Sequence, residues 1–69
     1  MRLSTRNQIG GTVEDVTHGE VMSLVKVRLN GGDMVTAAIT REAAEELGLS
    51  AGSPVSVLVK ATEVMLAVD

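Results

Sequence analysis

Residues 21–29 restrict the fold more than any other part of the chain. Val21, Ser23, Val25, Val27 and Leu29 fall on one side of an extended backbone, and Met22, Leu24, Lys26 and Arg28 on the other. Successive side chains of a strand point to opposite faces, so an apolar residue at every second position marks a strand with one buried face. A helix, with its 3.6-residue period, would scatter the same valines around its axis. Asn30-Gly31-Gly32-Asp33 follows. Asn-Gly supplies the positive φ angles of a tight hairpin turn, so residues 34–39 are expected to return antiparallel.

The rest of the chain is read outward from this hairpin. Residues 11–16 are strand-like but weakly patterned, and Thr17-His18-Gly19-Glu20 reads as a turn. Thr40 is placed as a helix N-cap, its hydroxyl accepting from a free N–H of the first turn. Glu42 suits the positive end of the helix dipole. Ala43, Ala44 and Leu47 form an apolar stripe at helical spacing, and Gly48 is a C-terminal stop. After a loop at 50–54, Val55, Val57 and Val59 alternate with Ser56, Leu58 and Lys60 as a fourth strand, and 64–68 is expected to be a fifth. The order β-β-β-α-β-β describes an all-β fold, a five-stranded OB-fold-like barrel with one short α-helix between strands 3 and 4. Residues 1–69 are expected to form a single domain, with the polar first ten residues fitting the core poorly.

The chain has 69 residues and contains no Phe, Tyr, Trp or Cys. Its core must come from Val, Leu, Ile, Ala and Met, with the scattered Met1, Met22, Met34 and Met65 expected as core filling. A domain this small is marginal alone, and without disulfides or thiolate metal sites oligomerisation is the expected support. A single His is too few for an ordinary zinc site. The net charge of −3 and the lack of stacking aromatics argue against a nucleic-acid-binding OB module. There is no nucleophile–base pair or acid–base dyad in a recognisable motif, so no enzyme is expected. No apolar run spans a bilayer and residues 1–6 do not open a leader peptide, which makes a cytoplasmic protein the expectation.

Oxyanion chemistry remains. Arg6 offers a planar fork of N–H donors, Ser4 and Thr5 add hydroxyls, and Asn7 adds an amide. Lys60 brings a compact charge, and Thr40 lies beside the unpaired N–H groups of a helix start. Taken singly, each reads as a solvated residue or a cap. His18, in a turn, is a possible supporting contact and otherwise an exposed loop histidine. Glu42, Glu45 and Glu46 read as a solvated helix face.

Three segments carry a resemblance to a known family. Ser4-Thr5-Arg6-Asn7-Gln8, continued by Ile9-Gly10-Gly11-Thr12-Val13, resembles the opening signature of the molbindins, the molybdenum-pterin-binding or Mop proteins. Thr36 to Glu42 and then Glu46-Leu47-Gly48-Leu49 is similar to their central segment. Lys60-Ala61-Thr62-Glu63-Val64-Met65-Leu66-Ala67 is similar to their closing one. Thr5 stands where Ala is usual. The resemblance implies a TOBE/Mop domain that binds and stores molybdate or tungstate as a homohexamer, a trimer of dimers with sites at subunit interfaces. It implies ligand contacts from Ser4, Thr5, Arg6, Lys60 and Ala61, with Thr40 at a position used by related molybdate-responsive regulators. Those regulators carry a further hydroxyl where this chain has Ala43. A molybdate-sensing regulatory module is the alternative that the same resemblance allows.

Molybdate is a dianion with four acceptor oxygens and no donor, so its site should present only donors. The matched positions contain no carboxylate, and a backbone N–H explains how a residue as inert as Ala61 can serve.

Overall fold

The computed structural model describes residues 2–69; Met1 lies outside them. Four strands, β1 (Asn7–His18), β2 (Met22–Leu29), β3 (Met34–Thr40) and β4 (Pro54–Val59), form one antiparallel sheet in the order β3-β2-β1-β4. One short helix, α1 (Arg41–Glu46), lies between β3 and β4, and a 3-10 turn spans Ala61–Glu63.

From Ser23 onward β2 behaves as its alternation demands; Val21, expected on the same buried face, precedes the strand and is 71% exposed. Ser23, Val25 and Val27 are buried while Leu24, Lys26 and Arg28 face solvent. Val25 and Val27 join Val13 of β1 in the core, with Val16, Leu29, Ala37, Ile39, Leu49, Val55 and Val57 packed around them. The hairpin forms, but Asn30 and Gly31 do not adopt positive φ. That conformation falls on Gly32 at +104°. Its N–H donates to the Leu29 carbonyl (2.8 Å), and the Leu29 N–H donates to Asp33 (2.7 Å). This is a three-residue loop with the left-handed residue last, in place of the two-residue turn that Asn-Gly suggests.

β1 is twice as long as its apolar pattern indicates. Its first half pairs with β4 and its second with β2, the two ladders overlapping at Gly11 and Thr12. Gly11 has a steric reason: a Cβ there would lie 2.7 Å from the Arg28 carbonyl oxygen. The weak patterning has a cause too. The register shifts between Val13 and Asp15, so Glu14 is a bulge that breaks the period of two.

α1 is capped as its sequence requires. The Thr40 hydroxyl accepts from the Ala43 N–H (3.1 Å). At the other end Gly48 (φ +64°) closes a Schellman motif, its N–H donating to Glu45 and that of Leu49 to Ala44. The expected stripe is half right: Ala44 is buried, Leu47 is 70% exposed, and Leu49 beyond the stop turns back to the core.

Two expectations are corrected. Residues 64–68 form no strand: the sheet has four, and after the 3-10 turn the extended tail leaves it, with Met65, Leu66 and Val68 more than 90% exposed. The tail is a short continuous apolar run, Val64-Met65-Leu66-Ala67-Val68, and among the described residues it pairs with no strand of its own chain. Met22, Met34 and Met65 are exposed and fill no core; valines on the inner faces already occupy it. The curled sheet therefore stops short of a closed five-stranded barrel. Between its outer strands β3 and β4 runs an apolar groove of about 260 Å³ lined by Val25, Val27, Ala37, Ile39, Leu47, Leu49 and residues 55–58.

Candidate functional site

The antiparallel β1–β4 ladder does what the linear sequence could not show: it brings the two ends of the chain together. The last pair is Asn7 with Val59, so the next residues outward are Arg6 on one side and Lys60 on the other. Beyond them the chain bends at Ser4 and Arg6 and enters the 3-10 turn at Ala61. The result is a cleft of about 320 Å³ lined by Ser4, Thr5, Arg6, Lys60, Ala61 and Thr62.

The cleft's chemistry is one-sided. It holds two cations and three hydroxyls and is lined by no carboxylate. Glu63, though adjacent in sequence, is not in the lining. Arg28 and Arg41 are each committed to a carboxylate, Glu14 at 3.2 Å and Glu45 at 2.8 Å. Lys26 donates to the Thr36 hydroxyl (2.9 Å). Among the described residues Arg6 and Lys60 make no ion pair. The N–H groups of Ala61 and Thr62 precede the first bond of the 3-10 turn, Glu63 N–H to the Lys60 carbonyl at 2.9 Å, and so have no partner within the turn. Such a surface suits a small anion that accepts hydrogen bonds in several directions and donates none.

Five of the expected residues thus meet: Ser4, Thr5, Arg6, Lys60 and Ala61. Thr62 joins them without having been singled out, although it directly follows Ala61 in the closing signature. The Asn7 amide is turned across the ladder and donates to the Val59 carbonyl (3.1 Å). Gln8 donates to the Thr5 carbonyl (3.3 Å) and so braces the segment that carries the hydroxyls.

Thr40 and His18 lie elsewhere. Thr40 pairs with Met22 at the opposite end of the sheet and lines a different hollow with Glu20, Val21, Arg41, Glu42 and Glu45. His18 ends β1, and its Nδ1 lies 2.7 Å from the hydroxyl of buried Ser23. Ser23 is the polar member of the buried face of β2, and this bond supplies its partner. Arg41 donates to Gly19 O (3.3 Å) as well as to Glu45. The Arg41 hydrogen bond holds the Glu45 carboxyl below its ordinary value; burial opposes this, and the charges of Arg41 and then His18 add to the lowering. Within one chain this hollow and the cationic cleft are separate.

Known proteins share the sequence and the architecture. A family model described as the TOBE domain matches residues 3–66. The probable molybdenum-pterin-binding protein of Haemophilus influenzae is 33% identical over 69 residues, covering all of both chains. The molybdenum transport protein ModE of Herbaspirillum seropedicae is 46% identical over 67 residues, 97% of this chain but 25% of that one. Among solved structures, a molybdate binding protein from Sporomusa ovata superposes with a TM-score of 0.92 at 36% identity, covering 97% of this chain and 98% of that one. With its signature segments, its sheet and helix, and these full-length likenesses in agreement, the chain belongs to the TOBE domain family and, within it, to the molybdenum-pterin-binding proteins.

Proposed function

We propose that this protein binds molybdate, or tungstate, as the intact oxyanion, and holds it in store without chemically transforming it. One observation carries the reading: Arg6 and Lys60, without an ion-pair partner among the described residues, share one hydroxyl-lined cleft whose lining holds no carboxylate. Arg6 supplies a bidentate fork, Lys60 a point charge, and Ser4, Thr5 and the N–H of Ala61 further donors. The description of the Sporomusa structure as a molybdate binding protein supports the choice of anion, and the name of the Haemophilus relative supports molybdenum as its metal.

The working unit is an oligomer with its sites at subunit interfaces. Among the described residues only Val13, Val25, Val27 and Ala44 are buried apolar residues in the single chain, while a tail of Val64, Met65, Leu66 and Val68 stands exposed. The groove between β3 and β4 is apolar and lacks a strand. Five residues at about 3.3 Å each span roughly 17 Å, a typical strand length. A tail from a second copy laid in that groove would supply the missing fifth strand and cover both exposed surfaces. Interface sites of this kind give Thr40 a role as a contact from a neighbouring copy. The resemblance to the molbindins supports a hexamer, a trimer of dimers, as the assembly, and residues 1–69 as one functional domain.

Native mass spectrometry combined with elemental analysis reads assembly size and bound Mo or W together. Thermal melting reads selectivity, because a ligand specific for the folded state raises its stability by RT ln(1 + [L]/Kd). Molybdate and tungstate are expected to raise the melting temperature at concentrations where sulfate and phosphate do not. Their metal–oxygen bonds are longer than S–O or P–O, so a cleft sized for them closes poorly on sulfate. Equal stabilisation by all four anions would reduce the cleft to a generic anion nest. A second reading, the oxyanion-sensing unit of a transport or regulatory protein, draws support from the Herbaspirillum match, in which this chain corresponds to a quarter of a longer protein.

A further inference from the structure

A cleft that chooses between oxyanions by size needs its two cations held at a fixed spacing, and little in the cleft provides this. Arg6 and Lys60 are exposed, repel one another, and belong to the first residues outside the β1–β4 ladder on either side. The ends of a ladder open more readily than its middle. At this end, among the described residues, a single side chain makes a hydrogen bond across the two strands. Asn7, half-buried, donates its amide N–H to the Val59 carbonyl at 3.1 Å, joining residues 52 apart in sequence. Asn7 precedes neither a turn nor a cap, so the local reasons for which asparagine is usually placed do not apply.

We propose that Asn7 is the positioning residue of the anion cleft: its amide clasps the Val59 carbonyl and thereby sets the Arg6–Lys60 spacing on which oxyanion selectivity depends. It acts through those two cations and not as a ligand. The inference rests on the oxyanion reading above and adds to it the group that makes the cleft selective.

The consequence differs from that of losing a ligand. Removing Arg6 or Lys60 weakens every anion, because charge is lost. Removing the clasp leaves the charges in place and lets them spread. A small anion already held loosely loses little, whereas an anion that fits loses its fit. The test is calorimetric titration of molybdate and of sulfate into wild type, Asn7→Leu and Asn7→Thr, each checked for assembly by light scattering. Leu keeps nearly the volume without a donor. Thr keeps a polar strand former whose hydroxyl falls short of the opposite carbonyl.

Both variants are expected to lose about tenfold in molybdate affinity, the scale of one hydrogen bond, with sulfate affinity little changed, so that the molybdate-to-sulfate ratio collapses. A purely structural role would lower the melting temperature and leave that ratio intact, which overturns the inference. Parallel loss of both anions overturns it as well, since Asn7 would then be acting as a ligand. If neither variant assembles, Asn7 is a folding residue and the inference also fails. A wild type that does not distinguish the two anions would instead overturn the oxyanion reading, and this inference with it.

Discussion

The two ends of the sheet treat their polar residues in opposite ways. At the end bearing Thr40, nearly every group named above has found a partner: Arg41 holds Glu45 and the Gly19 carbonyl, His18 meets Ser23, and the Thr40 hydroxyl caps α1. At the end bearing Arg6 and Lys60, the cations have no counter-charge among the described residues, and the side-chain bonds nearby come from Asn7 and Gln8 to backbone carbonyls. Polar residues that build a fold consume their own hydrogen-bonding capacity. Those that bind a ligand keep it. The difference lies in partners, since both ends contain Thr, a basic residue and a helix-like turn.

The most disruptive way to break this comparison is to remove residues 64–69. If tails join copies by filling the β3–β4 groove, the truncated chain loses assembly, and with it any site shared between one copy's Arg6 end and another's Thr40 end. Light scattering at micromolar protein and a molybdate titration check both. A truncated chain that still assembles and binds would leave each end to function within one molecule.

Arg6→Ala and Lys60→Ala sharpen the contrast within the cleft. Each hydrogen bond to a charged group is worth about 1.5–3 kcal/mol, so molybdate affinity should fall roughly ten- to a hundredfold. Arg6→Lys should recover part of the loss, because the charge returns without the planar fork. Lys26→Ala removes equal charge from the outer face of β2 and should change affinity little. Comparable losses in Lys26→Ala would mean that net charge, and not a defined cleft, attracts the anion.

Thr40→Ala tests the other end. As a cap it should cost about 0.5–2 kcal/mol of stability, read by denaturant unfolding, and Thr40→Ser should restore it. A further fall in molybdate affinity beyond this stability loss is expected if Thr40 also contacts the anion from a neighbouring copy.

The smallest effect belongs to Glu45→Gln. The Arg41 hydrogen bond lowers the folded-state pKa of Glu45 below its ordinary 4.5. Its contribution is therefore complete above that value and disappears as pH falls through the folded-state value. Both groups are exposed, so solvent screens the pair. Melts near neutral pH should show at most a slight loss relative to wild type, and none in acid well below 4.5.

Much of this was legible from the chain. The alternation in β2 predicted its buried face residue by residue as far as Ser23, and Thr40 and Gly48 marked both ends of the helix region. β1 was underestimated because two features hide it from a period-two pattern. A bulge at Glu14 shifts the register, and Gly10 and Gly11 contribute no apolar side chain just before and at the start of the overlap of the two ladders. The signature residues Ser4, Thr5, Arg6, Lys60 and Ala61 could be named in advance, but their convergence could not be read from composition.

The sequence by itself determined the local elements, because strand alternation, a capping hydroxyl and a stop glycine act over a few residues. It also determined the sign of the ligand, since the matched positions offer donors and no carboxylate. Only the tertiary structure decided that residues 6 and 60 share a cleft, that Thr40 stands apart from them, and that Asn7 bridges two strands. Each depends on the antiparallel pairing of β1 with β4, a contact between the chain's two ends that no local pattern encodes. The tail carried the short apolar run of a buried strand, yet pairing requires a neighbouring edge, and within its own chain the fold placed none beside it.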